Sequence, residues 1–133
     1  MKDAMNSQQF FVALVKHVVD KLGDEEDNIL ACMIVLHTQD ILVNDNCRLV
    51  DVSWPVGAPH RLHAITGRHA AEVVATALGH ESQQAIDEWY SMYCTQTPYE
   101  VLKSVPKPMM EKVENVIRCI SEHPLVESVV DAD

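Results

Sequence analysis

The feature of this sequence that most constrains its fold is a run of eight apolar residues at positions 29–36. Such a run has no polar face, so it must be buried on all sides, either as a strand or as a helix. Four acidic residues at positions 24–27 precede it, which suits the positive end of a helix dipole, with Asp24 as a candidate N-cap. The apolar pattern resumes at residues 41–43. We therefore predict one central helix over residues 24–43, on which the rest of the chain packs.

Three other segments, residues 7–22, 66–78 and 109–120, carry apolar residues at the spacing of an amphipathic helix. Shorter helices are predicted after Ser82 and at Pro98, where a cap residue or an N-terminal proline opens the segment. The pattern predicts an all-α, predominantly helical single domain of five to six helices. One short extended segment is expected at residues 47–54, which follow turn residues and are rich in β-branched side chains. Residues 126–133 are expected to form a loose acidic tail.

Composition and charge narrow the class of protein. Hydrophobic residues make up 47% of the 133 positions, which argues against disorder and for one buried core. The net charge of −10 repels phosphate backbones, so direct nucleic-acid binding is disfavoured. The four cysteines are scattered and form no Cys-x-x-Cys pair, and no charged segment followed by an apolar one opens the chain. These features predict a cytoplasmic protein with reduced thiols and no membrane span.

Aromatic residues are few, and three of the seven fall within residues 88–93. Residues 88–93 offer more aromatic and methionine side chains than one helical stripe can bury. The surplus, together with Trp54 on an irregular loop, suits a partner-binding patch, and the alternative is a helix that a small bundle buries on two sides. The aromatic candidates are Trp54, Trp89, Tyr90 and Tyr93, and the acidic candidates are Glu25 and Glu26.

The leading functional hypothesis is a non-catalytic acidic protein that covers a basic surface of a protein partner. An inhibitor, an immunity-type or anti-defence protein, a chaperone and an adaptor all fit this description. A large negative charge steers association with a cationic partner and raises the association rate. No catalytic residues, cofactor or resident metal are predicted, and a homo-oligomer is compatible with the sequence.

A small metal-assisted hydrolase is the alternative hypothesis. Four of the seven histidines lie between positions 60 and 80, and His60, His63, His69 and Glu72 are the candidate ligands. Zinc requires three or four nitrogen, sulfur or oxygen ligands around one point. In a helical turn His60 and His63 would share one face, and His69 and Glu72 would share another. The segment lacks a His-Glu-x-x-His pattern, so the binding hypothesis is preferred.

Overall fold

Six α-helices and one two-stranded antiparallel sheet make up the part of the chain that the computed structural model describes, which is residues 7–43, 49–53 and 67–122. The fold is predominantly helical, as predicted, and the number of helices agrees with the prediction. In chain order the elements are α1 (Ser7–Leu22), α2 (Glu26–Thr38), β1 (Asp40–Val43), β2 (Leu49–Ser53), α3 (Gly67–Leu78), α4 (Gln83–Met92), α5 (Pro98–Ser104) and α6 (Lys107–Ser121), with a 3₁₀ turn at Gly79–Ser82.

Helix α2 lies at the centre of the fold. It contacts each of the other five helices, and all its residues from Asn28 to Thr38 are buried. A helix that is apolar around its whole circumference is stable only when neighbours cover every side, and the surrounding helices do so. Burying one large aliphatic side chain contributes about 1.5–3 kcal/mol, so this helix supplies much of the core. The predicted central position is confirmed.

The predicted C-terminal end of the central helix is wrong. Helix α2 ends at Thr38, and Gln39 has extended backbone angles, with φ −100° and ψ 147°. The chain continues as strand β1 and pairs with β2, so that Ile41 lies opposite Val52. Because Ile41 and Val43 are β-branched, the segment is suited to a strand once a pairing partner is present. Apolar spacing alone cannot reveal that partner.

Strand β2 confirms the extended segment predicted for residues 47–54 over residues 49–53, and positions 47, 48 and 54 lie outside the described residues. The two strands run antiparallel, with Asp40 opposite Ser53 at one end and Val43 opposite Leu49 at the other. The register shifts between Leu42 and Val43, which is a β-bulge. Strand β2 contacts α6, so the sheet lies against the helical part of the fold.

The ends of α1 and α3 match their predicted positions, and each helix is followed by a glycine with a positive φ angle. Gly23 has φ +111° and Gly79 has φ +66°, a region that is costly for residues with a side chain. The buried faces of the two helices meet α2 through aliphatic and aromatic side chains. These residues are Phe10, Leu14, Val15 and Val18 of α1, and Ala70, Ala71, Val73 and Val74 of α3.

Helix α5 begins with a capping box. The Thr97 hydroxyl accepts a hydrogen bond from the Glu100 backbone N–H at 3.2 Å, and the Glu100 carboxylate accepts one from the Thr97 N–H at 2.9 Å. Helix α6 then packs against α2 with Val113, Val116 and Ile120 buried. All buried apolar residues of the described chain belong to one core cluster. The predicted acidic tail at 126–133 lies outside the described residues and stays a prediction.

Within residues 7–43, 49–53 and 67–122, no helix combines the length and the hydropathy that crossing a membrane requires.

Candidate functional site

The acidic residues at positions 24–27 lie where α1 turns into α2. Asn28 stabilises this turn. Its side-chain amide donates hydrogen bonds to the Leu22 carbonyl at 3.0 Å and to the Glu25 carboxylate at 3.2 Å. Glu25, rather than Asp24, occupies the N-cap position of α2. Asp24, Glu25 and Asp27 are exposed at the helix end, where the helix dipole favours negative charge.

A fifth carboxyl group joins this end of α2 from α4. Glu88 forms a side-chain hydrogen bond with Glu26, and that bond, burial and the charges of Glu26 and Asp27 raise the pKa of Glu88. Neighbouring carboxyl groups disfavour one another's ionised form, so these effects on Glu88 act in the same direction. Among the described residues, no lysine or arginine lies within ion-pair distance of Glu26, Asp27 or Glu88. We call Asp24, Glu25, Glu26, Asp27 and Glu88 the acidic cluster.

The exposed face of α4 adjoins the acidic cluster. At 3.6 residues per turn, Met92 lies on the same flank of the helix as Glu88, while Tyr90 lies on the opposite flank. Both Met92 and Tyr90 are 46% exposed, and the exposed polar residues Asp87 and Ser91 lie between them. The face therefore has an apolar side chain at each edge and acidic groups between them.

Trp89 and Tyr93 are corrections to the predicted binding patch. Trp89 is fully buried and Tyr93 is 3% exposed. The Trp89 ring lies between the His37 ring, at 5.5 Å, and the Tyr93 ring, at 5.7 Å. The sequence interpretation placed too many aromatic residues on the surface because α4 is covered by α2 and α3 together, which bury a wider stripe than one neighbour would. Neither ring is accessible to a partner.

The remaining predicted binding residues fall into two groups. Tyr90, Glu25 and Glu26 lie on or at the edge of the surface, with Glu26 half-buried against Glu88. Trp54 lies outside the described residues. Sequence reasoning missed Glu88 and Met92, although their four-residue spacing within the aromatic segment was a signal that an acidic and an apolar side chain share one flank.

The candidate metal ligands are only partly described. His69 and Glu72 are neighbours on α3, with His69 Nδ1 3.8 Å from the Glu72 carboxylate, and both side chains are largely exposed. His60 and His63 lie outside the described residues. No group of three or more histidine, cysteine or acidic side chains suited to a metal ion occurs in the described residues. The hydrolase hypothesis therefore requires His60 or His63 as a further ligand.

In comparisons with known proteins, no family model, no curated protein and no solved structure matched this chain significantly.

Proposed function

We propose that this chain is a non-catalytic binding protein whose acidic cluster and exposed α4 face dock on a basic surface of a partner protein. The observation that carries the proposal is the contact of Glu88 with Glu26, close to Asp27, with no described lysine or arginine within ion-pair distance of these carboxylates. Clustered carboxyl groups repel one another, and the repulsion is relieved when a partner supplies lysine or arginine side chains.

The charge of the whole chain supports the same interpretation. Twenty acidic residues against ten basic ones give the net charge of −10, so a cationic partner is attracted before contact. Long-range attraction of this kind mainly raises the association rate and weakens as salt screens it. The acidic cluster gives the attraction a defined place on the surface.

Apolar contacts on α4 would slow the dissociation of the complex. Met92 and Tyr90 are large, exposed side chains at the two edges of one helix face, and tyrosine and methionine are enriched at protein interfaces. Asp87, between the two edges, accepts a hydrogen bond from Gln83 at 2.9 Å and remains exposed. A partner that covers this face meets acidic groups at its centre and apolar groups at its margins.

The proposal is tested by affinity capture with the tagged full chain from its host at low salt, followed by mass spectrometry. A double variant, Glu25→Lys with Glu26→Lys, removes part of the acidic cluster. Glu111→Lys with Glu114→Lys makes the same change in net charge at exposed positions of α6 and is the matched control. We expect the first pair to abolish capture of a specific basic protein and the second pair to retain it. Equal capture by both variants would contradict the proposed surface.

A further inference from the structure

A cleft of about 280 Å³ lies between the C-terminal ends of α1 and α6, where the acidic cluster contributes no side chain. Its apolar lining comes from Leu22 and Cys119. Its polar lining comes from the basic side chains His17, Lys21 and Arg118, together with Asn115 and the acidic Glu122. Ligand sites typically combine an apolar lining with a few polar groups, and this volume lies just below their usual range of about 300–1,000 Å³.

Lys21 and Arg118 form no ion pair within the described residues. Lys21 and Arg118 are exposed, and neither lies within ion-pair distance of a described carboxylate. Arg118 donates one hydrogen bond, to the Asn115 side chain at 3.0 Å, and a guanidinium group has five N–H donors in all. Burial and the charge of Glu122 raise the pKa of the Cys119 thiol, and the charge of Lys21 lowers it by a smaller amount, so both Lys21 and Glu122 act on this part of the cleft.

We propose that this cleft binds a small organic anion, with its apolar body against Leu22 and Cys119 and its carboxylate or phosphate group at Lys21 and Arg118. Guanidinium and ammonium groups recognise both kinds of acid through charge-assisted hydrogen bonds. The cleft admits a ligand about the size of one aromatic ring with an acidic substituent. This inference is independent of the proposed protein-binding function, which uses other residues.

The last-turn position of Lys21 and Arg118 has a second consequence. Basic side chains at the C-terminal end of a helix stabilise its carbonyl groups, whether or not a ligand binds. The two roles predict different results. If Lys21 and Arg118 only stabilise the helix ends, replacing them lowers the melting temperature and the wild-type protein binds no ligand.

The test is a titration of the full-length protein followed by two-dimensional amide NMR. Benzoate and phenyl phosphate supply the two acidic groups on the same ring, benzyl alcohol is the neutral match, and inorganic phosphate is the acid without an apolar body. We expect saturable shifts at Leu22, Asn115 and Cys119 with benzoate or phenyl phosphate. Benzyl alcohol and inorganic phosphate should bind at least several-fold more weakly, because benzyl alcohol has no acidic group and inorganic phosphate has no apolar ring.

Variants then assign the binding to the cleft. Lys21→Gln and Arg118→Gln should each weaken binding by roughly two- to fivefold, the range of exposed ion pairs. Lys16→Gln removes an exposed charge from α1 outside the cleft and should leave the affinity unchanged. A melting curve for each variant shows that it is folded. The proposal is overturned if no ligand gives saturable shifts, if benzyl alcohol binds as well as benzoate, or if the cleft variants bind like the wild type.

Discussion

The Nε2 nitrogen of His37 lies 2.8 Å from the backbone carbonyl oxygen of Gln96, 59 residues further along the chain. A carbonyl oxygen only accepts hydrogen bonds, so Nε2 carries the hydrogen in this contact. The bond ties the C-terminal end of α2 to the turn between α4 and α5. The same imidazole lies edge-on to Trp89, so one buried side chain joins the central helix to the elements that carry the proposed binding face.

Replacing His37 with alanine should destabilise the fold by about 2–3 kcal/mol, because it leaves a cavity beside Trp89 and removes the hydrogen-bond donor to the part-buried Gln96 carbonyl. His37→Gln keeps a donor and should lose less. His80→Ala, at an exposed position, is the control and should change stability by no more than about 0.5 kcal/mol. Urea unfolding followed by circular dichroism measures all three variants. Equal stability of His37→Ala and His80→Ala would refute the role of this contact.

The sequence predicted the helical class and most helix ends because these depend on local signals. Apolar spacing located α1, α3 and α6, and Gly23 and Gly79 end two of these helices through their positive φ angles. The end of α2 could not be predicted in this way. Residues 41–43 are apolar in either state, and only pairing with β2 decides that they form a strand.

The candidate site was less predictable, because it depends on which helices become neighbours. The exposed side of α4 could be predicted only in part, since Trp89 and Tyr93 face the core that α2 and α3 complete. The contact of Glu88 with Glu26 joins residues 62 positions apart and has no local signal. The acidic residues next to the N-terminus of α2 were evident from the sequence alone because they are consecutive.

Enlarging Ala70 tests how closely α3 approaches its neighbours. Ala70 is fully buried, and α3 packs against both α1 and α2. Ala70→Leu should cost about 1–3 kcal/mol by overpacking. Ala75→Leu makes the same change at an exposed position of the same helix and should remain within about 0.5 kcal/mol of the wild type. The comparison is made by thermal unfolding, and tolerance of leucine at both positions would mean that α3 is not closely packed.

The Glu26 contact makes stability depend on pH through Glu88. The pKa of Glu88 is raised above its ordinary value near 4.5. Between the ordinary and the raised value, the folded protein therefore holds a proton that the unfolded chain has released. Stability from this group is therefore greatest at acidic pH and falls as the pH rises through the raised pKa. Glu88→Gln should stabilise the protein at neutral pH by less than about 1 kcal/mol, the range of exposed charge pairs, and the gain should vanish below the ordinary value.

Melting temperatures measured across this pH range test the prediction about Glu88. Glu111→Gln, at an exposed position of α6, makes the same substitution away from the acidic cluster and is the control. A gain in stability that is the same at all pH values, or the same in the control, would contradict the raised pKa of Glu88.

The thiol of Cys32 should be inert while the protein is folded. Burial, with a smaller effect of Cys119, raises the pKa of Cys32 to about 12, and the thiolate is the reactive form. Iodoacetamide at mildly alkaline pH should therefore modify the half-buried Cys94 first and reach Cys32 only on unfolding. Peptide mapping by mass spectrometry gives the two rates. Modification of Cys32 as fast as Cys94 in the folded protein would show that α2 is not buried as described.

The measurement that tests the central claim most directly is the association rate of the chain with its captured partner as a function of salt, by stopped-flow fluorescence. From about 0.01 M to about 0.15 M salt the rate should fall tenfold or more, with little change in dissociation. Glu25→Lys with Glu26→Lys should flatten this dependence. Tyr90→Ala and Met92→Ala should mainly speed dissociation, whereas Tyr99→Ala, an exposed aromatic on α5, should not. An association rate that does not change with salt concentration, or that is unchanged by the charge reversal, would contradict binding through the acidic cluster.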